Sequence, residues 1–181
     1  MEKFSRLKPE NTIKSKKDNI LFDNEYVKII EYENWSIIKE SDLIVCIPYF
    51  IESNEFLIRN EYIPTYKYTD NQEYHVTVLS GTIDSNESVN QCLTRELEEE
   101  AGIVLNRDYN IEDLKPLFIS KGHVNKYHPF IIPLTERDYH EVIASGDGSD
   151  AEKLSKSVKV SAKYIDSLQT SDVITEYMLF K

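Results

Sequence analysis

Between Gly81 and Ile103 the chain reads GTIDSNESVNQCLTRELEEEAGI, a helical segment that gathers Glu96, Glu98, Glu99 and Glu100 at its C-terminal end. Asp84 or Ser85 offers an N-terminal cap, with Glu87 three residues after Asp84, and Gly102 supplies the stop. The spacing predicts a helix over about Asn86 to Ala101. On a wheel of about 100° per residue from Val89, the residues Val89, Leu93, Leu97 and Ala101 fall at about 0°, 40°, 80° and 120°, with Cys92 at about −60°. That stripe faces a core. Glu96 at about −20° and Glu100 at about 20° lie inside it, Glu99 borders it at about −80°, and Glu98 near 180° faces solvent.

Any fold that buries this stripe must therefore bury carboxylates where the helix macrodipole already places about half a negative charge. Left unpaired, each would cost several kcal/mol. An exposed acidic helix end partnered by Lys or Arg is the usual reading of an EEE run, but the inward positions of Glu96 and Glu100 argue against it. Hard oxygen ligands at i and i+4 on one face suit Mg²⁺ or Mn²⁺, with water and phosphate filling the other positions.

Read as G-x5-E-x7-R-E-U-x-E-E-x-G-U, with U a bulky aliphatic residue, every specified position is present: Gly81, Glu87, Arg95, Glu96, Leu97, Glu99, Glu100, Gly102 and Ile103. This resembles the Nudix box, over about an eighth of the chain. The resemblance implies that Glu96, Glu99 and Glu100 bind a divalent metal, joined by the backbone carbonyl of Gly81. It also implies that Arg95 and Glu87 support catalysis by orienting the carboxylates; their alternative is a surface ion pair of little energetic weight.

The implied chemistry is hydrolysis of a nucleoside diphosphate linked to another moiety, by attack of water on one phosphorus of the pyrophosphate. Metal serves it by neutralising charge on the phosphoryl oxygens and lowering the pKa of a bound water. In some members of the family the base is a box glutamate, and in others a downstream carboxylate. Here the downstream candidate is the loop Ser145-Gly-Asp-Gly-Ser-Asp-Ala-Glu152, with Glu152 or Asp150 as base; a flexible acidic surface loop is the other reading.

With 181 residues the chain suits one well-buried domain, expected over 21–181 after a polar, Lys-rich arm over 1–20. A net charge of −11 disfavours DNA and RNA as partners and leaves a small-molecule nucleotide, received by metal and local basic groups. Cys46 and Cys92 lack metal-ligand spacing and read as core thiols. The first ten residues lack the apolar run of a signal peptide, and the longest strongly apolar stretch, Leu43 to Ile51, is too short to cross a bilayer. The expectation is a cytoplasmic protein without a membrane partner.

Strand-like runs occur at Tyr26 to Tyr32, Trp35 to Ile38, Leu43 to Ile51, Glu55 to Arg59, Tyr74 to Leu79, Leu114 to Ile119, His128 to Leu134 and Ser157 to Tyr164. A closing helix is expected over about Ser167 to Phe180. Together with the box helix these predict an α/β/α sandwich with a mixed sheet and an N-terminal antiparallel meander, the fold the resemblance also implies. The meander resembles the extra sheet of the ADP-ribose pyrophosphatase branch, where such a sheet often builds a homodimer.

Arg59-Asn-Glu-Tyr62-Ile-Pro-Thr-Tyr66-Lys67 occupies the place where hydrolases of ADP-ribose and nucleotide sugars carry an Arg-Gln-Tyr-Arg-like segment that contacts the nucleotide. Tyr62 and Tyr66 can stack on a base, and Arg59 or Lys67 can meet phosphate. The chain departs from that pattern in Glu61, in lacking an arginine after Tyr62, and in reading Val-Leu-Ser before Gly81. An exposed loop or dimer surface is the competing account of these tyrosines. A nucleoside triphosphate or dinucleoside polyphosphate hydrolase, and a non-catalytic nucleotide-sensing module, are the alternative functions.

Overall fold

A computed structural model describes residues 19–106, 114–146 and 148–180. Its centre is a six-stranded mixed sheet. Strand β4 (Leu43–Phe50) and β5 (Glu55–Tyr62) form a hairpin whose arms pair only near the turn, at Tyr49 with Phe56 and Phe50 with Glu55. Beyond it they diverge. The gap is filled by one bent stretch: β6 (Tyr74–Thr77) pairs with β5 and β7 (Leu79–Thr82) pairs with β4, all antiparallel. Strand β9 (Tyr127–Leu134) runs parallel to β4 along its whole length, and β11 (Lys156–Ser161) closes the other edge against β5.

The bend falls at Val78, whose N–H leaves the ladder and donates to Thr175 Oγ1 (3.0 Å). Thr175 is fully buried and lies in α4 (Val173–Leu179). Its backbone N–H and hydroxyl both donate to Asp172 Oδ2, the helix cap (2.7 and 2.6 Å). One threonine thus satisfies the strand break and ties the C-terminal helix to it.

Alternation along β4 feeds two cores. Ile44 and Cys46 join Leu79, Phe130 and Ile132 under Cys92, Leu93 and Leu97 of α2 (Val89–Ala101), while Val45 and Ile47 join Ile58, Val78, Ile174 and Met178 under α4. Each such aliphatic side chain contributes about 1.5–3 kcal/mol on burial. Helices on both faces of a mixed sheet make the expected sandwich. The expected N-terminal meander is a three-stranded antiparallel sheet of β1 (Asn19–Asp23), β2 (Lys28–Tyr32) and β3 (Trp35–Lys39). A separate two-stranded ladder pairs β8 (Ile103–Leu105) with β10 (Tyr139–Glu141).

Several boundaries differ from the sequence expectation. Helix α2 starts at Val89, because Ser88 rather than Asp84 or Ser85 caps it, in a capping box with Gln91. Leu114 to Ile119 makes only an isolated bridge, Leu117 to Tyr127. The strand expected to reach Tyr164 stops at Ser161 and passes into a 3-10 turn, Ala162–Ser167, so the closing helix is shorter than expected. Short helices α1 (Pro64–Asp70) and α3 (Asp150–Leu154) occupy segments read as loops. Of the expected arm, residues 1–18 lie outside the described residues, and Asn19 and Ile20 belong to β1. Among the described residues no helix is long and apolar enough to cross a membrane.

Replacing Thr175 by Val strands the buried Val78 N–H and is expected to cost about 1–3 kcal/mol, measured by urea unfolding. Thr175→Ser, which keeps the hydroxyl, should cost clearly less; equal losses would mean that the hydroxyl does not hold the bend.

Candidate active site

The last turn of α2 leaves carbonyls without intrahelical partners, and separate segments of the chain supply them. Gly102, in the left-handed region at φ 64°, donates its N–H to Glu98 O. Gly146 N–H donates to Glu99 O (3.0 Å), and Ser157 Oγ donates to Glu100 O (2.7 Å). Val142 N–H donates to Gly102 O. The helix end therefore draws Val142, Gly146 and Ser157 onto itself, and with them α3.

Its side chains are held as closely. Glu96, 8% exposed, packs so tightly on Gly81 that a Cβ there would lie 2.0 Å from Glu96 Oε1. Arg95 gathers three carboxylates: Nε and Nη2 donate to the two oxygens of Glu87 (2.9 and 3.0 Å), and Nη1 donates to Glu96 Oε1 (2.6 Å) and Glu99 Oε2 (3.0 Å). Arg59, reaching from β5 and only 3% exposed, pairs with Glu100 (Nη2 to Oε1, 3.2 Å). Glu98 is exposed. Two arginines thus supply the positive charge that the buried glutamates require, a role for Arg59 that its place among candidate substrate contacts did not anticipate.

A cavity of about 440 Å³ opens over this cluster, and Arg59, Gly81, Arg95, Glu96, Glu99 and Glu100 line it together with Glu152 of α3. Asp150, the other candidate base, pairs with Lys153 on the exposed side of α3. Tyr66 lines a neighbouring cavity. Tyr62 packs edge-on against Tyr74, and Lys67 pairs with Glu73 (2.6 Å); neither lines these two cavities. Glu61, Ser80, Ser149 and Ser155 also line the carboxylate cavity, and only Glu61 had an audible signal in the sequence, as a charge where the related pattern has none.

Burial pushes the Glu96 carboxyl up to about 7 against the pull of Arg95, with Glu99 and Glu152 adding repulsion. Burial likewise pushes Glu100 up to about 8 against Arg59, with Glu96, Glu61 and Glu152 repelling. Arg95 holds Glu87 below its usual value. Among the described residues no three acidic, His or Cys side chains converge as a preformed metal cage, since the arginines hold several of the oxygens. The donor set nonetheless fits a hard cation: Glu100 Oε2 is buried without a hydrogen-bond partner, and the carboxylates of Glu96 and Glu99 line the same cavity.

No protein-family model matches the chain, and no curated protein matches it. Among solved structures it is similar to a crystal structure described as an ADP compounds hydrolase, with a TM-score of 0.62 over 93% of this chain and 94% of that chain, at 17% identity. The two share a fold. Identity at this level carries the architecture and no more.

A carboxyl whose folded-state pKa exceeds its unfolded value binds its proton more tightly when folded, so its contribution is full below the unfolded pKa and is lost as pH rises through the folded one. For Glu96 that window runs from 4.5 to about 7. In EDTA, Glu96→Gln should match the wild type at pH 5 and exceed it at pH 8 by at least about 1 kcal/mol, roughly 2–4 °C in Tm. Thermal melts across that range check it; a variant less stable at pH 8 would contradict the electrostatic account.

Proposed function

We propose that the protein is a Nudix pyrophosphohydrolase acting on a nucleoside diphosphate linked to a second moiety, of the ADP-ribose or nucleotide-sugar type. The observation that carries this reading is the convergence of Glu96, Glu99, Glu100 and Glu152 on one cavity. The fold shared with an ADP compounds hydrolase supports it. Glu96, Glu99 and Glu100, with the Gly81 carbonyl, would hold Mg²⁺ or Mn²⁺. When bound, the ion neutralises phosphoryl charge and lowers the pKa of a bound water.

In this reading Glu152 accepts the proton of the attacking water. One P–O bond forms, the anhydride P–O bond breaks, and two monophosphates leave. Arg95 and Glu87 fix the carboxylate oxygens so that little reorganisation is needed when charge develops. Arg59 is a buried cation lining the same cavity, and its charge is shared with Glu100.

Glu99→Gln and Glu152→Gln should each lower kcat by about 10²–10⁴-fold in Mg²⁺-dependent turnover of a nucleotide panel, with AMP and a sugar phosphate as products identified by mass. Full turnover by both variants would sink the assignment. Release of inorganic pyrophosphate would favour a triphosphate hydrolase, and nucleotide binding with no product over hours a sensing module.

The three-stranded sheet leaves Ile20, Leu21, Phe22 and Trp35 at the surface, Trp35 60% exposed. Apolar side chains exposed on both faces of a small sheet offer an association surface, and a second copy of the chain is the proposed occupant. Sedimentation should show a dimer that Phe22→Asp with Trp35→Glu converts to monomer; an unchanged or monomeric wild type would refute it.

A further inference from the structure

Helix α3 carries Glu152 to the carboxylate cavity, yet none of its five residues is buried, so no core packing orients it. Polar ties hold it at both ends. Tyr62 N–H on β5 donates to Ser155 Oγ (3.0 Å), which donates in turn to Ala151 O (2.9 Å). At the other end Ser149 Oγ accepts the Glu152 N–H (3.1 Å), and Gly146 N–H reaches Glu99 O on α2 (3.0 Å).

These contacts fix the backbone of Glu152. Its side chain meets Gly146. A Cβ at that glycine would lie 2.7 Å from Glu152 Oε2 and 3.0 Å from Glu152 Cδ, well inside van der Waals contact. The carboxylate therefore rests on bare backbone, as that of Glu96 rests on Gly81. Gly146 and Gly148 both lie in the left-handed region, at φ 64° and 86°, and that conformation alone favours glycine at each. At Gly148, however, no atom of the described residues stands within 4 Å of where a Cβ would be. Gly146 alone of the two has a second reason to lack a side chain.

We propose that Gly146 is a positioning residue: its N–H fastens the segment to Glu99 and its bare Cα seats the Glu152 carboxylate, so one glycine sets the spacing between the α2 carboxylates and the base. This rests on the function proposed above, in which Glu152 takes a proton from the attacking water. A methyl group at 146 must push that carboxylate by about half an ångström or more. A base has to stay within hydrogen-bond reach of the proton it takes, and misplacement by about 1 Å can lower a rate by about 10²-fold. Substrate binding does not depend on that proton, so the loss belongs in kcat rather than KM.

The two glycines separate this contact from backbone strain. Gly146→Ala, Gly148→Ala, Glu152→Gln and the Gly146→Ala/Glu152→Gln double variant are compared by crystal structure and by Mg²⁺-dependent turnover of the nucleotide panel, with Tm as the control for folding. Gly146→Ala should displace the Glu152 carboxylate and lower kcat by about 10–100-fold, with KM within about twofold. Gly148→Ala bears similar strain without the contact, and should keep the carboxylate in place and kcat within about threefold. In the double variant Gly146→Ala should add no loss to that of Glu152→Gln.

Equal losses in the two alanine variants, a carboxylate that stays in place in Gly146→Ala, or a Gly146→Ala loss undiminished in the Glu152→Gln background overturns the inference. If Gly146→Ala alone displaces the carboxylate while the wild type hydrolyses no pyrophosphate compound, the seating of Glu152 stands and the hydrolase reading falls. If the wild type hydrolyses such compounds and Gly146→Ala matches its kcat, the hydrolase reading stands and the positioning role falls.

Discussion

Placing carboxylates under the C-terminal turn of α2 is the constraint around which this molecule is arranged. The helix dipole, burial and mutual repulsion all oppose negative charge there, and every neighbouring segment contributes something that offsets it. Arg95 binds three carboxylates, Arg59 crosses from β5 to Glu100, and Gly81 gives up a side chain so that Glu96 can lie against the backbone. The free carbonyls of the same turn are met by Gly102, Gly146 and Ser157. Those last two contacts also explain why Glu152 faces the cluster: the segment that carries it is tied to the helix end on both sides.

The sheet contributes the other half of the site by failing to be regular. Strands β4 and β5 part after their hairpin, β6 and β7 bend between them, and the bend at Val78 is stabilised by Thr175 from the far helix. Arg59 and Glu61 lie one pleat apart on β5, one turned into the box cluster and the other at the neck between two cavities. Stability and chemistry pull apart here. A raised carboxyl pKa at Glu96 and Glu100 weakens the metal-free fold at neutral pH and keeps in place oxygens that a divalent cation would relieve.

Periodicity made the frame legible. Val89, Leu93 and Leu97 announce the buried stripe of α2, and the alternating Ile44, Val45, Cys46 and Ile47 announce a strand covered on both faces. The inward position of Glu96 and Glu100 and the outward position of Glu98 are legible on the wheel alone. Local competition hid the caps: Asp84, Ser85 and Ser88 are all competent, and only the Ser88 and Gln91 pair closes reciprocally. The partner of Glu100 was hidden for another reason. Arg59 lies 41 residues away, and no local pattern reports a contact made by strand divergence. Tyr66, Tyr127, Ile119 and Val173 come together from four separate segments for the same reason, so the second cavity has no signature in any one of them.

In the proposed function the arginine-held carboxylates exchange part of that pairing for a divalent cation. Manganese binding, followed by electron paramagnetic resonance at pH 8 with and without ADP-ribose, measures this directly. The wild type should bind Mn²⁺, more tightly with nucleotide present, and Glu96→Gln and Glu99→Gln should each weaken that affinity by about 10–100-fold. Identical affinity in the variants, or no binding by the wild type under either condition, would contradict it.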